Sequence, residues 1–177
     1  MPKDLSRPFI RTPRLRKPEP TDGSAIWELV RACKPLDENS MYCNLVQADH
    51  FRDTCVVAEL DGEIVGWISG HMIPGADTFF VWQVAVGEKA RGLGLGRKML
   101  AHLVARDECA DAASLETTIT ADNAASWALF RSFARSIGGR LSDRPHFQSD
   151  DHFDGHHDTE HLVSISLPQA VRLAKAA

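Results

Sequence analysis

The order of predicted secondary-structure elements indicates one α/β domain of the mixed, α+β type. The dipeptide Asp61-Gly62 separates two apolar segments, which predicts an antiparallel hairpin. A third apolar run, Phe79–Val86, leads into the glycine-rich turn Arg91–Gly96 and then into a segment with helical spacing. A strand, a turn, a helix and a further strand make a parallel crossover. Together these signals predict a mixed sheet flanked by helices.

The N-terminal half supplies the first strands and helices. Prolines 13, 18 and 20 allow at most a short edge strand within residues 9–20. The tetrapeptide Thr21-Asp22-Gly23-Ser24 is a helix-start signal, and Pro35 ends the helix that follows. Residues 36–51 predict a loop and a short helix. The strands of the hairpin are expected at residues 54–60 and 63–73, with Gly66 and Gly70 marking bends or bulges.

The C-terminal half alternates helices and strands. Helical spacing covers residues 94–109, a strand is expected at 114–120, and a second helix at 123–137 ends at Gly138-Gly139. Residues 143–158 predict a long loop rich in His and Asp, before a last strand at 161–167. We therefore expect one domain over residues 9–167, with flexible termini at 1–8 and 168–177.

Composition and charge exclude several classes of function. The chain has 177 residues, of which 44% are hydrophobic and 25% charged, as is ordinary for a globular protein. A net charge of −4 argues against a nucleic-acid partner. No run approaches the ~20 apolar residues of a membrane span. The four cysteines form no CxxC pair, and the N-terminus lacks an apolar signal core, so we expect reduced thiols and a cytoplasmic protein.

The turn Arg91-Gly92-Leu93-Gly94-Leu95-Gly96 is suited to hold a pyrophosphate. The N–H groups of a first helical turn have no partner in the helix and attract anions. A P-loop would need Lys and then Ser or Thr after the last glycine, where this chain has Arg97-Lys98-Met99. A dinucleotide fingerprint would need glycine at position 97 or 99. A simple helix-capping turn and a loop for another pyrophosphate ligand remain, and the preceding strand and the basic flanks favour the pyrophosphate loop.

The spacing Arg91-x-x-Gly94-x-Gly96 after a strand resembles the acyl-CoA loop of the GCN5-related N-acetyltransferases. Three further segments resemble, within that superfamily, the L-2,4-diaminobutyrate acetyltransferases of ectoine synthesis. These segments are residues 36–45, 115–130 and 156–162, and residues 80–86 add to the likeness. The resemblance covers roughly residues 9–167. It implies a central mixed sheet splayed between its fourth and fifth strands, with the thioester of acetyl-CoA in the gap.

The resemblance also implies a reaction and its partners. Acetyl would pass from acetyl-CoA, a co-substrate, to the 4-amino group of L-2,4-diaminobutyrate, and the enzyme would be a homodimer. The strand Val84-Ala85-Val86 would pair with the pantetheine amides. The N–H groups of residues 92–97 and the side chain of Arg91 would hold the pyrophosphate. Asn123 would contact the CoA side, although an Asn at a helix start is also a preferred N-cap.

A diamino acid needs acceptors for two ammonium groups and a donor for one carboxylate. The resemblance places Asp37 and Glu160 in the substrate pocket, where they can bind ammonium groups. A turn cap for Asp37 and a solvated surface charge for Glu160 are the alternatives. Tyr42 can donate and accept a hydrogen bond, and Trp82 can form a wall that faces a cation. Their alternatives are a partly buried loop aromatic and a core residue. His157 is a substrate contact, a proton relay or an ordinary loop histidine.

The chemistry requires a neutral amine, because an ammonium has no lone pair. Glu160 acting through water and Glu116 are the candidate bases. Many members of the superfamily have Tyr seven residues after the helix-start Asn, where this chain has Phe130. The thiolate proton must therefore come from water, from the amine or from Tyr42. No histidine is paired by a motif with Cys43 or Cys55, so we expect direct attack in a ternary complex.

Other functions remain open from the sequence. An acetyltransferase for another cationic amine and a non-catalytic acyl-CoA-binding module are the alternatives. The five histidines between His146 and His161 invite a metal hypothesis, but their spacing matches no closed zinc pattern. We expect no metal.

Overall fold

In the part of the chain that the structure describes, seven strands form one sheet in the order β1-β2-β3-β4-β5-β7-β6. The structure is a computed structural model and describes residues 12–168. All strand pairs are antiparallel except β4 with β5, which is parallel. The strands are β1 (Arg14–Arg16), β2 (Val56–Leu60), β3 (Glu63–Met72), β4 (Thr78–Val86), β5 (Ser114–Thr120), β6 (Leu141–Phe147) and β7 (Glu160–Ser166). The predicted mixed sheet is confirmed.

Five α-helices accompany the sheet within the described residues. They are α1 (Gly23–Ala32), α2 (Met41–His50), α3 (Leu95–Val104), α4 (Ala124–Ile137) and α5 (Ser149–Phe153). The predicted helix over 94–109 ends at Val104, and a separate 3₁₀ turn spans Asp107–Cys109. The helix expected within residues 36–51 is α2, which begins at the N-cap Ser40.

Two buried clusters occupy opposite faces of the sheet. Side chains of α3 and α4, among them Met99 and Phe133, pack with Val56 and Ala58 of β2 in the larger cluster. The intervening residue Val57 belongs to the second cluster, which contains Ile26 of α1 and Ala48 of α2. Successive strand residues face opposite sides, so this alternation places α3 and α4 on one face and α1 and α2 on the other.

The turn between β2 and β3 has the geometry that its sequence predicts. Asp61 has φ of 52° and Gly62 has φ of 82°. Positive φ at both central residues defines a type I′ turn, whose twist matches the flanking strands. Antiparallel pairing of Leu60 with Glu63 confirms the predicted hairpin.

A β-bulge in β4 separates it from β5. Ser69 of β3 pairs with Gln83, and the next residue, Gly70, pairs with Val81, which leaves Trp82 as the extra residue. A side chain at position 70 would place its Cβ 2.7 Å from the Phe80 carbonyl oxygen, so glycine is required there. Bulges bend a strand and redirect its side chains.

The parallel pairing of β4 with β5 stops just before the bulge. It joins residues 78–80 to residues 114–116 and goes no further. Beyond that point the two strands diverge, and the predicted splay between strands 4 and 5 is confirmed. The divergence leaves room between neighbouring strands in the middle of the sheet.

The loop predicted over residues 143–158 is wrong for most of its length. Most of β6 and all of α5 lie there, and β6 pairs with β7 at the sheet edge. Pro145 and the charged residues of β6 do not resemble a buried strand, and four consecutive residues of β6 are exposed. Proline is tolerated in edge strands, so the strand forms through pairing with β7 rather than through its own apolar pattern. The termini predicted to be flexible lie mostly outside the described residues.

Candidate active site

One cleft passes through the gap between β4 and β5, and it has two parts. The donor part, next to the glycine turn, has a volume of about 700 Å³. The acceptor part, at the β7 side, has a volume of about 570 Å³. Both parts are lined by Pro35, Leu36, Val84, Asn123 and Ser126, so they meet in the splay. A ligand held in one part can therefore present a group to a ligand in the other.

The glycine turn shapes the donor part. Gly92 has φ of 75°, and Gly94, the residue that precedes α3, has φ of 68°. Both lie in the left-handed region, which favours glycine. The first turn of α3 directs its unpaired N–H groups to this end of the cleft, which suits an anion. Arg97 adds a cationic side chain to the lining.

Most of the predicted cofactor residues line the donor part. They are Val84, Val86, Arg91, Gly92, Gly94, Leu95, Gly96, Arg97 and Asn123. Leu93 is exposed and does not line it, and Ala85 is buried in the second cluster. Nε of Arg91 donates to the Val86 carbonyl over 3.1 Å. The predicted use of that carbonyl by pantetheine would therefore compete with Arg91.

Asn123 caps a helix and also lines the cleft. Its side-chain oxygen accepts a hydrogen bond of 3.1 Å from the backbone N–H of Ser126, so it caps α4. The same residue lines both parts of the cleft. Phe130, one helical turn beyond Ser126, is 2% exposed and contributes an apolar wall to the acceptor part.

Two acidic side chains and a histidine come together in the acceptor part. Nε2 of His157 lies 3.8 Å from Oδ2 of Asp37 and 3.9 Å from Oε1 of Glu160. Asp37 comes from the loop between α1 and α2, whereas Glu160 begins β7. The Asp37 side chain is 88% exposed and the Glu160 side chain 17%. The structure thus joins residues that are far apart in sequence into one negatively charged pocket.

Burial changes the proton affinity of Glu160. Desolvation raises the pKa of its carboxyl group above the ordinary value, and nearby Asp37 raises it further, while His157 and Thr118 oppose the shift. Its Oε2 atom is buried and has no hydrogen-bond partner among residues 12–168. A carboxylate with a raised pKa and an unused acceptor atom is suited to take a proton.

His157 is held in one orientation. Its Nδ1 lies 2.7 Å from the Asp158 carbonyl oxygen, which requires an N–H at that nitrogen. This hydrogen bond raises the pKa of His157, and the charges of Glu160 and Asp37 add to the shift. The ring of Phe153 packs against the imidazole with centroids 4.7 Å apart. Helix α5, missed from the sequence, therefore supports a site residue.

Four residues considered from the sequence stand apart from this pocket. Tyr42, in the first turn of α2, is 75% exposed and does not line the cleft. Glu116 lies on β5 before the splay and is not part of the lining. Cys55 is fully buried, and burial raises the pKa of its thiol to about 12, which does not suit a nucleophile. Burial also raises the pKa of the Cys43 thiol.

The histidines of the C-terminal region have separate partners. Nδ1 of His152 accepts a hydrogen bond from the Gln148 N–H, and Nδ1 of His161 lies 3.3 Å from Asp143. Within residues 12–168, no group of three His, Cys, Asp or Glu side chains is arranged to hold a metal ion. Over the same range, no helix has the length and apolar character needed to cross a membrane.

Sequence reasoning missed several polar side chains of the acceptor part. Gln83, Asn39 and Thr118 line it, and Ser126 lines both parts. Gln83 did leave a signal, because it interrupts the apolar run of β4. A polar residue inside a buried strand needs a hydrogen-bond partner, which indicates a contact with a polar group outside the apolar core.

Comparison with known proteins identifies the class to which this fold and cleft belong. Residues 24–134 match the model of the Acetyltransferase (GNAT) family. The chain belongs to that family, as its sequence predicted.

Within the family, this chain is similar to a particular group of enzymes. It is 52% identical over 153 residues to the L-2,4-diaminobutyric acid acetyltransferase of Halomonas elongata, covering 85% of this chain and 79% of that protein. It is 46% identical over 153 residues to the enzyme of the same name from Vibrio cholerae, covering 86% and 88%.

The fold of this chain is also similar to that of a solved structure from the same group of enzymes. That structure is the diaminobutyrate acetyltransferase EctA from Paenibacillus lautus in complex with its substrate L-2,4-diaminobutyric acid and coenzyme A. The TM-score is 0.83 at 37% identity, over 88% of this chain and 96% of that one.

Proposed function

We propose that this protein transfers acetyl from acetyl-CoA to the 4-amino group of L-2,4-diaminobutyrate. The observation that carries the proposal is the acidic pocket of Asp37, His157 and Glu160, which meets the donor part of the cleft through the splay. Similarity to the Halomonas elongata and Paenibacillus lautus acetyltransferases supports the same acceptor.

The donor part accommodates acetyl-CoA. Residues 92–97 hold the pyrophosphate through backbone N–H groups, with Arg91 and Arg97 adding positive charge. The pantetheine arm follows Val84-Ala85-Val86 on the open edge of β4. The acetyl group then lies in the splay, beside Asn123 and Ser126, where the acceptor part begins.

The acceptor part matches the charges of a diamino acid. The carboxylates of Asp37 and Glu160 bind the two nitrogen groups, and the imidazole of His157 can pair with the substrate carboxylate when it is protonated. Trp82, which is 52% exposed and lines this part, covers the methylene groups between them. The opposite ends of the substrate are thereby distinguished, and one amine is directed to the thioester.

The reaction begins with loss of a proton from the 4-ammonium group to Glu160, directly or through one water. The nitrogen lone pair then attacks the thioester carbonyl carbon and forms the C–N bond. Cleavage of the C–S bond releases the CoA thiolate, the nitrogen loses its second proton, and one proton goes to the sulfur. A thiol has an ordinary pKa near ~8.5, so the leaving group needs little assistance.

The source of the sulfur proton separates this chain from relatives with a tyrosine on α4. Phe130 has no proton to give. Water, the amine proton and Tyr42 remain the candidates. Tyr42 is exposed in the first turn of α2, five residues after Asp37, and would have to approach the cleft when the acceptor binds. If it does, Tyr42→Phe will lower kcat and leave the KM for acetyl-CoA unchanged. Unchanged kinetics would remove Tyr42 from the proposed site.

Product analysis tests the function directly. Incubation with acetyl-CoA and L-2,4-diaminobutyrate should give stoichiometric CoA and one product, acetylated at N4. Turnover of a polyamine, lysine or aminoglycoside but not of diaminobutyrate would assign the protein to another acceptor. Acetyl-CoA binding with no CoA release over an amine panel would make it a binding module.

Initial-rate kinetics test the order of events. Direct attack in a ternary complex gives intersecting reciprocal plots when both substrates are varied. Parallel lines, or an acetyl group trapped on Cys43 or Cys55, would contradict direct attack. We further propose that the enzyme is a cytoplasmic homodimer of ectoine biosynthesis. A monomer mass by light scattering would refute the dimer.

A further inference from the structure

We propose that Gln83 is a positioning residue that fixes the Asp37 loop and thereby sets the affinity for the acceptor amine. The inference rests on the proposed acceptor role of Asp37. The resemblance to known acetyltransferases does not single out Gln83. Its side chain need not touch the reacting atoms to have this effect.

The side-chain amide of Gln83 forms one hydrogen bond with Asp37 and one with Asn39. Nε2 of Gln83 donates to the Asp37 carbonyl over 2.9 Å, and Oε1 accepts from Nδ2 of Asn39 at 3.4 Å. Gln83 itself is only 8% exposed. A buried hydrogen bond is costly to leave unmade, so this amide holds the loop at a fixed distance from β4.

The bulge in β4 gives Gln83 this orientation. Because Trp82 is the extra residue of the bulge, the side chains after it change faces relative to those before it. Val81 packs in the larger core cluster, whereas Gln83 contacts the loop between α1 and α2. Gly70 of β3 permits the bulge in β4. The contact between Gln83 and Asp37 therefore depends on the absence of a side chain at position 70.

The Asp37 side chain itself has few contacts within residues 12–168, although the neighbouring Glu38 pairs with Lys34 and Arg31 at the surface. The Asp37 side chain is 88% exposed, and among the described residues its carboxylate forms one ion pair, with His157 at 3.8 Å. An exposed carboxylate keeps its direction only if its backbone is held. The Gln83 hydrogen bond holds that backbone. The buried amide therefore determines where the Asp37 charge lies.

The amide group is required because the contact uses a donor and an acceptor at once. Leucine has a similar volume but makes neither hydrogen bond, and glutamate keeps the acceptor for Asn39 but cannot donate to the Asp37 carbonyl when ionised. Both Gln83→Leu and Gln83→Glu should therefore release Asp37. Asn39→Ala removes only the second contact and serves as the graded comparison.

Steady-state kinetics and hydrogen exchange test the proposal together. In Gln83→Leu, the KM for diaminobutyrate should rise about three- to tenfold, the range expected for one lost hydrogen bond, while the KM for acetyl-CoA stays within about twofold. Amide exchange in residues 36–40 should accelerate, with the protection of β4 and β5 unchanged. Ser69→Ala, a buried polar change opposite Gln83 in the ladder, is the matched control and should change none of these.

A double-mutant cycle shows whether Gln83 acts through Asp37. In an Asp37→Ala background, Gln83→Leu should add less than about twofold to the KM for diaminobutyrate. Additive effects would overturn the proposal, as would unchanged exchange at residues 36–40. If the wild-type protein does not acetylate diaminobutyrate, the proposed function fails, whereas the exchange result still decides whether Gln83 holds the loop.

Discussion

Nε2 of His157 lies 3.9 Å from Oε1 of Glu160, at the point where the C-terminal loop enters β7. Burial raises the pKa of the carboxyl group, and the hydrogen bond to the Asp158 carbonyl raises the pKa of the imidazole. The pair therefore places a carboxylate of raised proton affinity beside a histidine that stays protonated over a wider pH range. This relationship supplies the most direct tests of the site.

Glu160→Gln should abolish most of the activity. The substitution keeps the size of the side chain but removes the proton acceptor, and general base catalysis is typically worth about 100- to 10,000-fold. We expect a loss of kcat on that scale at saturating substrates. Glu116→Gln is the matched control, since it changes a carboxylate on β5 outside the cleft lining and should retain nearly full kcat. The reverse ranking would make Glu116 the base.

The same substitution should stabilise the ligand-free protein at neutral pH. Folding raises the pKa of this carboxyl group, so the folded state favours its protonated form. Above the raised pKa the group is ionised, and its charge then lowers the free energy of unfolding. Removing the charge should raise Tm by roughly 1–3 °C at pH 8. The advantage should fade as the pH falls towards 4.5, the ordinary pKa. A lower Tm at pH 8 would indicate that Glu160 is a structural residue.

The pH profile should respond to Asp37. The rate requires ionised Glu160, so kcat/KM should fall as the pH drops through the raised pKa of that group. The Asp37 charge contributes to the raised pKa, and Asp37→Asn should therefore move the acid limb to lower pH. Asp122→Asn, which changes another carboxylate of the same cleft, should leave the limb in place. An acid limb that moves upward in Asp37→Asn would contradict the charge coupling.

Gly92→Ala should weaken acetyl-CoA without affecting the acceptor. A Cβ at this position meets no atom within 4 Å, but φ of 75° is strained for alanine, by about 1 kcal/mol. The turn must shift its N–H groups, so we expect an increase of about fivefold or more in the KM for acetyl-CoA. Gly75→Ala has the same strain, with φ of 77° and open space, in the turn between β3 and β4, and should leave both KM values unchanged. Equal effects of the two substitutions would indicate a general loss of stability.

The donor part of the cleft could be predicted from the sequence because its parts are contiguous. The strand, the glycine turn and the first turn of α3 follow one another within residues 79–97, and local chemistry determines each of them. The roles of Asp37 and Glu160 were predicted from the resemblance of whole segments to those of known acetyltransferases. Their meeting at His157 is a product of tertiary structure, since more than a hundred residues separate them.

Strand β6 and the position of Gln83 could not be predicted, because both depend on strand pairing that the sequence does not reveal. Strand β6 forms because β7 offers it an edge, in spite of Pro145 and its exposed residues. The role of Gln83 depends on a bulge at Trp82, and a shift of one residue in register changes which face a side chain meets. No local pattern in residues 78–86 fixes that register.

The outer position of β6 has a consequence for altering the acceptor. The family match ends at residue 134, and β6, α5 and the loop that carries His157 follow it. Among the described strands, β6 pairs with β7 alone. We expect residues 140–158 to behave as an exchangeable cassette whose replacement leaves the donor strands and the glycine turn in place, so long as the packing of Leu141 against the larger core cluster is kept. Chimeras that graft this cassette from one acetyltransferase onto another would transfer one wall of the amine pocket while the machinery for acetyl-CoA stays native.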